Sequence, residues 1–224
     1  MPRQAGEREF QLDSPAGPLD AIWRHPADPF IQMVLAHGAG AGIRHHNMQS
    51  IAEAFADVGV ATLRFNFPYM QAGRKRVDRK DIAIDAINTA VQYAQMNNAL
   101  PLWLGGHSFG GRMASHAVAE GAVEPVGLVF CSFPLHQPKK PGLERAAHLD
   151  VIDKPMLFLS GTRDDLARVE LLEEVVARQS SDASIRWLET ANHSYVPLKR
   201  TRENPLTVFE EMAQGLAEFL RAHA

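Results

Sequence analysis

Two rhythms of apolar residues run along this chain. Mostly apolar runs occupy 31–36, 60–65, 100–104, 126–131, 155–160 and 185–188. Between them, apolar residues recur every three or four positions. Met48, Ile51, Ala52 and Phe55 predict a helix over 47–57 that Gly59 ends. Ile82, Ala83, Ala86, Ile87, Ala90, Val91 and Ala94 predict a second over 81–95. Shorter helical patterns follow at 112–119, stopped near Gly121, and at 167–179. Val208, Met212, Leu216, Phe219 and Leu220 line a closing helix over 206–222. Near the start, 9–12 and 19–23 flank the turn Ser14-Pro15-Ala16-Gly17-Pro18 and predict a hairpin. Only 133–150 is irregular, broken by Pro134, Pro138 and Pro141, with space for one helical turn.

Short apolar runs bounded by turns suit strands buried on both faces. Strands of that kind alternating with helices describe a parallel sheet covered by helices. No Pro/Gly-rich linker divides the chain, and the irregular stretch is too short for a second domain. The expectation is one α/β domain over residues 1–224.

The chemistry gathers around "LGGHSFGG" at 104–111. Gly106-His107-Ser108-Phe109-Gly110 matches G-x-S-x-G. Small neighbours let the backbone turn sharply from strand to helix and present the serine hydroxyl. A serine hydroxyl is a weak nucleophile until a base takes its proton and a third group orients that base. In a parallel sheet, ligands collect at the carboxyl ends of the strands. Asp164 in "GTRD" and His193 in "ANHS" each follow a strand run, as Ser108 does. The order serine, acid, histidine is that of a nucleophile-elbow hydrolase. Asp165 is the alternative acid. The oxyanion donors expected are the backbone amides of Phe109 and of Ala39 in "HGAGAG" at 37–42, with Gly40 as the alternative. That loop lacks both the P-loop lysine and the Rossmann glycine spacing.

Other residues are placed to touch substrate. Gly38 and Gly40 keep the backbone bare opposite the serine. Arg64, Asn66 and Tyr69 follow the strand beside that loop and are expected at the mouth. Arg74 and Arg112 complete a basic rim suited to an anionic substrate, and His107 shapes the pocket. The plainer reading of Arg74-Lys75-Arg76 is a solvated face paired with Asp78, Asp81 or Asp85. His37 reads as a loop brace. His45-His46 lacks an Asp, Glu or Cys spaced to complete a metal site. Cys131 reads as a small buried residue, and Trp23, Trp103 and Trp187 as core or sheet cover.

Composition narrows the class. Apolar residues make up 46% and charged residues 22%, enough for a core and a wetted surface. A formal charge of −3 is not that of a nucleic-acid binder. One cysteine allows no internal disulfide, and the N-terminal stretch lacks a signal-type apolar core. No run approaches the length of a membrane span. The expectation is a cytoplasmic protein, monomer or weak homodimer, with no metal or cofactor, no nucleic-acid partner and no membrane partner.

These motifs resemble those of the α/β-hydrolase superfamily over nearly the whole chain. "LAHGAGAG", "RFNFPYMQAGRKR", "GGHSFGGRMAS", "GTRD" and "NHSY" resemble most closely a small branch. It holds the testis-expressed hydrolase-like proteins and the hydrolase-like domain of a chromatin acetyltransferase-complex subunit. Dienelactone-hydrolase-like enzymes are a looser match. The resemblance implies an α/β-hydrolase fold: a mostly parallel central sheet, an N-terminal antiparallel hairpin, helices on both faces and minimal or no lid. It implies Ser108 as nucleophile, Asp164 as acid, His193 as base, and Ala39 and Phe109 as oxyanion donors. The branch sometimes carries lysine where this chain has His107. The function expected is a serine hydrolase of small acyl esters. A thioesterase or peptidase with the same triad stays open, as does a silent interaction scaffold.

Overall fold

In the computed structural model, which describes residues 5–223, eight strands form one sheet in the order β1-β2-β4-β3-β5-β6-β7-β8. The hairpin strands β1 (Gly6–Ser14) and β2 (Gly17–His25) are antiparallel, and β2 runs antiparallel to β4 (Val60–Phe65). Every later pairing is parallel: β4 with β3 (Ile31–Ala36), β3 with β5 (Leu102–His107), then β6 (Leu128–Cys131), β7 (Met156–Gly161) and β8 (Ala183–Leu188).

Why both faces are covered follows from the strand period of two. In β3, Ile31, Met33 and Leu35 point to one side and Val34 and Ala36 to the other. In β7, Leu157 and Leu159 oppose Met156 and Phe158. Two apolar clusters result. One packs under α3 (Lys80–Asn97), α4 (Phe109–Ala119) and α5 (Val169–Ala177). The other packs under α1 (His46–Asp57) and α6 (Val208–His223). A short helix, α2 (Pro68–Gln71), and two 3-10 segments, Glu144–Val151 and Lys199–Thr201, complete the chain. Trp23 and Trp103 are buried, as expected of core. So is Cys131, whose thiol burial pushes up to about 12.

Several boundaries move for identifiable reasons. The sequence placed a strand over 100–104 and a helix from 112. The strand instead reaches His107 and the helix starts at Phe109. Glycine propensity disfavours both elements there, but close packing overrides it. A Cβ on Gly105 would lie 2.4 Å from Val129 O, and one on Gly110 would lie 2.3 Å from Ala36 O. The hairpin strands are longer than expected because α3 and α1 cover them. The helix α2 lies where a polar loop was expected, started by Pro68 at its first position. Between β6 and β7 the expected irregular stretch holds one 3-10 segment and no larger cover. The central sheet, its hairpin, the helices on both faces and the missing lid make this an α/β-hydrolase fold.

Candidate active site

Ser108 sits at the hinge between β5 and α4 with φ 50° and ψ −114°. A left-handed φ at a non-glycine residue costs on the order of 1–3 kcal/mol and persists only where packing enforces it. Here glycines on both sides enforce it. A Cβ on Gly106 would meet Ala36 O at 2.6 Å, and one on Gly111 would meet Gly106 O at 2.7 Å. The hinge therefore presses against the end of β3, and the hydroxyl points outward.

His193 reaches it from the loop after β8. Its Nε2 lies 2.8 Å from Ser108 Oγ, and its Nδ1 lies 2.9 and 2.8 Å from the two oxygens of Asp164. A carboxylate only accepts, so Nδ1 carries the proton and Nε2 accepts from the serine hydroxyl. Asp164 follows β7, its side chain fully buried, and its Oδ1 also accepts from Leu166 N at 2.8 Å. Asp165, the alternative acid, does not enter this chain of bonds. A Cβ on Gly161 would lie 2.2 Å from Ala191 O, so the loops bearing Asp164 and His193 touch backbone to backbone.

The loop after β3 is held from two directions. His37 is fully buried; its Nε2 accepts from Phe67 N at 3.0 Å, so Nδ1–H donates to Gly38 O at 2.8 Å. Tyr69, also buried, accepts from Gly40 N at 3.2 Å and donates to Gly38 O at 3.4 Å. Asp78 fixes Tyr69 in turn by accepting from its backbone N–H at 2.8 Å. Ala39 is left between two pinned residues, exposed, and its amide donates to no protein group among the described residues. The same is true of the Phe109 amide at the start of α4. Gly40 N–H is committed to Tyr69.

His107 faces inward behind the nucleophile. Its Nε2–H donates to His193 O at 3.2 Å, and its rings lie 5.6 Å from His193 and 5.7 Å from Tyr195. A Cβ on Gly38 would sit 2.6 Å from its Nδ1, so only glycine fits there. Burial holds both His37 and His107 down to about 4, so both are neutral at pH 7.

A model of the alpha/beta hydrolase domain family matches residues 29–221. The chain belongs to that family. Solved structures agree in fold. A dienelactone hydrolase of Anabaena variabilis superposes with a TM-score of 0.76 at 18% identity, covering 99% of each chain. An a/b serine hydrolase without lid from Xanthomonas campestris gives 0.74 at 18%, covering 98% of this chain and 96% of its own. Est1E of Butyrivibrio proteoclasticus with bound ferulic acid gives 0.75 at 16%, covering 96% and 98%. Among the described residues, no helix is long and apolar enough to cross a membrane.

A second serine–histidine contact lies farther along α4 in this family member. Ser115 Oγ and His148 Nε2 are 2.7 Å apart. Ser115 is fully buried and donates its proton to Arg112 O at 2.8 Å. His148 therefore donates to the serine, the reverse of what activation requires. The fold and the part-buried pair of Ser108 and His193 make a serine-hydrolase-like site.

The expected substrate contacts divide. Arg64 was placed at the mouth but is fully buried within the sheet, donating to Ile43 O at 3.0 Å and pairing with Glu7. Its neighbours Leu63 and Phe65 face the other side of β4, and Glu7 lies two strands away, out of sight of local pattern. Tyr69 was also placed at the mouth; it is a buried loop brace. Asn66 accepts from Ile43 N at 3.2 Å and supports the same loop from below. Arg74 pairs with Asp78 at 2.9 Å, as the plainer reading had it. His45 caps α1 by accepting from Asn47 N at 3.2 Å. Reading the sequence missed Glu7 as the partner of Arg64, since nothing local marks it.

Proposed function

We propose that this chain is a serine hydrolase of carboxylic esters. The observation that carries the reading is the unbroken relay from Ser108 Oγ through His193 to Asp164, at 2.8 Å and 2.8–2.9 Å. In this mechanism Ser108 Oγ attacks the acyl carbonyl while His193 Nε2 takes its proton. Asp164 stabilises the imidazolium without itself being protonated. The Ala39 and Phe109 amides, free of protein acceptors, hold the tetrahedral oxyanion. His193 then gives its proton to the departing alkoxide, leaving an acyl-serine. A water attacks the acyl group with His193 again as base, and Ser108 is restored.

The short connection between β6 and β7 leaves the site open, which favours small esters over long lipids. The ferulic acid in Est1E fits the same preference for a compact acyl group. Thioesters and amides pass through the same steps, with a thiolate or an amine leaving in place of the alkoxide, and are the alternatives of the reading. The sheet is continuous from Gly6 to Leu188, which supports one catalytic unit. The quoted motifs favour the branch of testis-expressed hydrolase-like proteins, and the reading takes the enzyme as cytoplasmic and free of cofactor.

Covalent labelling by a fluorophosphonate tests this. One adduct is expected, mapping to Ser108, absent in Ser108→Ala and slowed by about 10⁴-fold in His193→Ala. A well-folded protein that takes no adduct, or takes it as fast without His193, would overturn the assignment.

A further inference from the structure

Three of the basic residues around the site are already occupied. Arg64 is buried on Ile43 O and Glu7, Arg74 holds Asp78, and Arg163 donates to Thr190 O at 3.3 Å. Arg112 is the exception. It lies on α4 one turn beyond Ser108, its amide bonded to Ser108 O at 3.1 Å. Positions four apart share a helix face, and helical side chains lean back toward the N-terminus. The Arg112 side chain thus leans toward the nucleophile.

Its guanidinium has no protein acceptor among the described residues, and its Nε is fully buried without a partner. Its charge is opposed by burial first and then by Arg145, which the 3-10 segment Glu144–Val151 brings alongside. Arg145 is half-buried and donates only to His136 O, at 3.3 Å. No carboxylate relieves the pair. Asp150 is held by Arg178 and Gln179, Glu120 by Lys80, and Glu144 folds back over Gly142. His116 and His148, stacked at 3.6 Å, are kept neutral by burial first and then by Arg112, with His116 acting on His148 as well, so they add no further positive charge and offer no negative one. A half-buried cation without a partner, beside a second cation, is costly and needs a reason.

We infer that Arg112 and Arg145 form an anion subsite that reads a carboxylate on the acyl part of the substrate. The inference rests on the serine-hydrolase reading and names its substrate class: half-esters of short dicarboxylic acids. Guanidinium groups bind carboxylates through paired, charge-assisted hydrogen bonds. Helix spacing sets Arg112 one turn, about 6 Å, from Ser108, which suits an acyl chain of a few carbons between the two carboxyl groups. Sequence alone named Arg112 but not Arg145, because only the fold brings the irregular stretch onto α4.

The test compares kcat/KM for p-nitrophenyl hemiglutarate and p-nitrophenyl butyrate. The wild type is expected to favour the anionic ester by about tenfold or more. In Arg112→Gln and in Arg145→Gln that ratio falls toward one, chiefly through KM, and Arg112→Lys restores part of it. If Arg112→Gln fails to fold, Arg145→Gln, at a half-buried residue bonded only to His136 O, carries the test. A second readout needs no turnover: glutarate slows fluorophosphonate labelling of wild-type Ser108 but not of the Arg145→Gln protein. A wild type that labels at Ser108 but shows no anionic preference and no glutarate protection would overturn the subsite alone. A wild type that neither labels nor hydrolyses either ester would overturn the hydrolase reading and the subsite with it.

Discussion

Single atoms decide how the nucleophile is held. The hydrogen bond from the His107 imidazole to the His193 carbonyl is 3.2 Å long and joins the residue before Ser108 to the loop that carries His193. His107 does not touch the reacting atoms; it positions the residue that does. His107→Phe keeps a ring in the cavity and removes the donor. A base displaced by a fraction of an ångström loses its alignment with Oγ, and such displacements cost about ten- to a hundredfold in rate. The expected outcome is a fall in kcat of that size with KM within about twofold, since the substrate contacts are elsewhere. Steady-state kinetics on a neutral ester measures it. A drop confined to KM would mean that His107 lines the substrate pocket instead. The sequence alone placed His107 in the pocket as a shaping residue, because an inward donor to a carbonyl 86 positions away leaves no local mark.

At the scale of elements, α6 anchors the loop that carries His193. Glu211, on the first turn of α6, accepts from Glu189 N at 3.1 Å and from Arg202 Nη2 at 2.9 Å. Arg202 also donates to Leu206 O and Glu189 O. Both side chains are under a tenth exposed, so removing one leaves the other charged and buried. That kind of loss costs about 3–5 kcal/mol. Glu211→Ala is therefore expected to lower the urea midpoint by a large step. Fluorophosphonate labelling should slow as well, as the His193 loop loses its tether. A stability change under about 1 kcal/mol would show the pair to be screened. This anchor was illegible in the sequence, whereas the elements it joins were plain. The runs at 31–36 and 60–65 were read to the residue because burial on both faces keeps them mostly apolar, with only Gln32, Thr62 and Arg64 interrupting them. That Ser108, Asp164 and His193 would meet was legible for a related reason: each follows a strand, and parallel strands deliver their ends to one edge. What stayed hidden depends on distant pairing. Arg64 looks like a mouth residue until β1 and β2 are laid beside β4 and Glu7 arrives. The start of α4 was set late by three residues because Gly110 and Gly111 argue against helix unless the backbone of β3 is known to press on them.

Over the whole molecule, the site's own braces set a limit on the acid side. His37 and His107 are nearly fully buried, and burial lowers each to about 4. An unfolded histidine titrates near 6.5. Between about 6.5 and 4 the unfolded chain therefore binds more protons than the folded one. Stability must rise with pH across that window, is complete above it, and is lost as pH falls toward 4. Each group contributes a slope of up to about 1.4 kcal/mol per pH unit. His116 and His148, lowered to about 4 and about 3, act with the same sign. The protein should thus lose structure in mild acid, before most carboxylates titrate, and the first region to feel it is the wall of the active site. His37→Gln isolates one contribution, because glutamine keeps a neutral donor and acceptor for Gly38 and Phe67 and cannot titrate. Between pH 7 and pH 5 the wild type is expected to lose about 2 kcal/mol more than this variant. Urea unfolding at the two pH values reads the difference in slope, which is independent of any constant cost of the substitution. Equal losses would mean that His37 stays protonatable in the folded state, and that the loop bearing Ala39 opens to water far more freely than its hydrogen bonds imply.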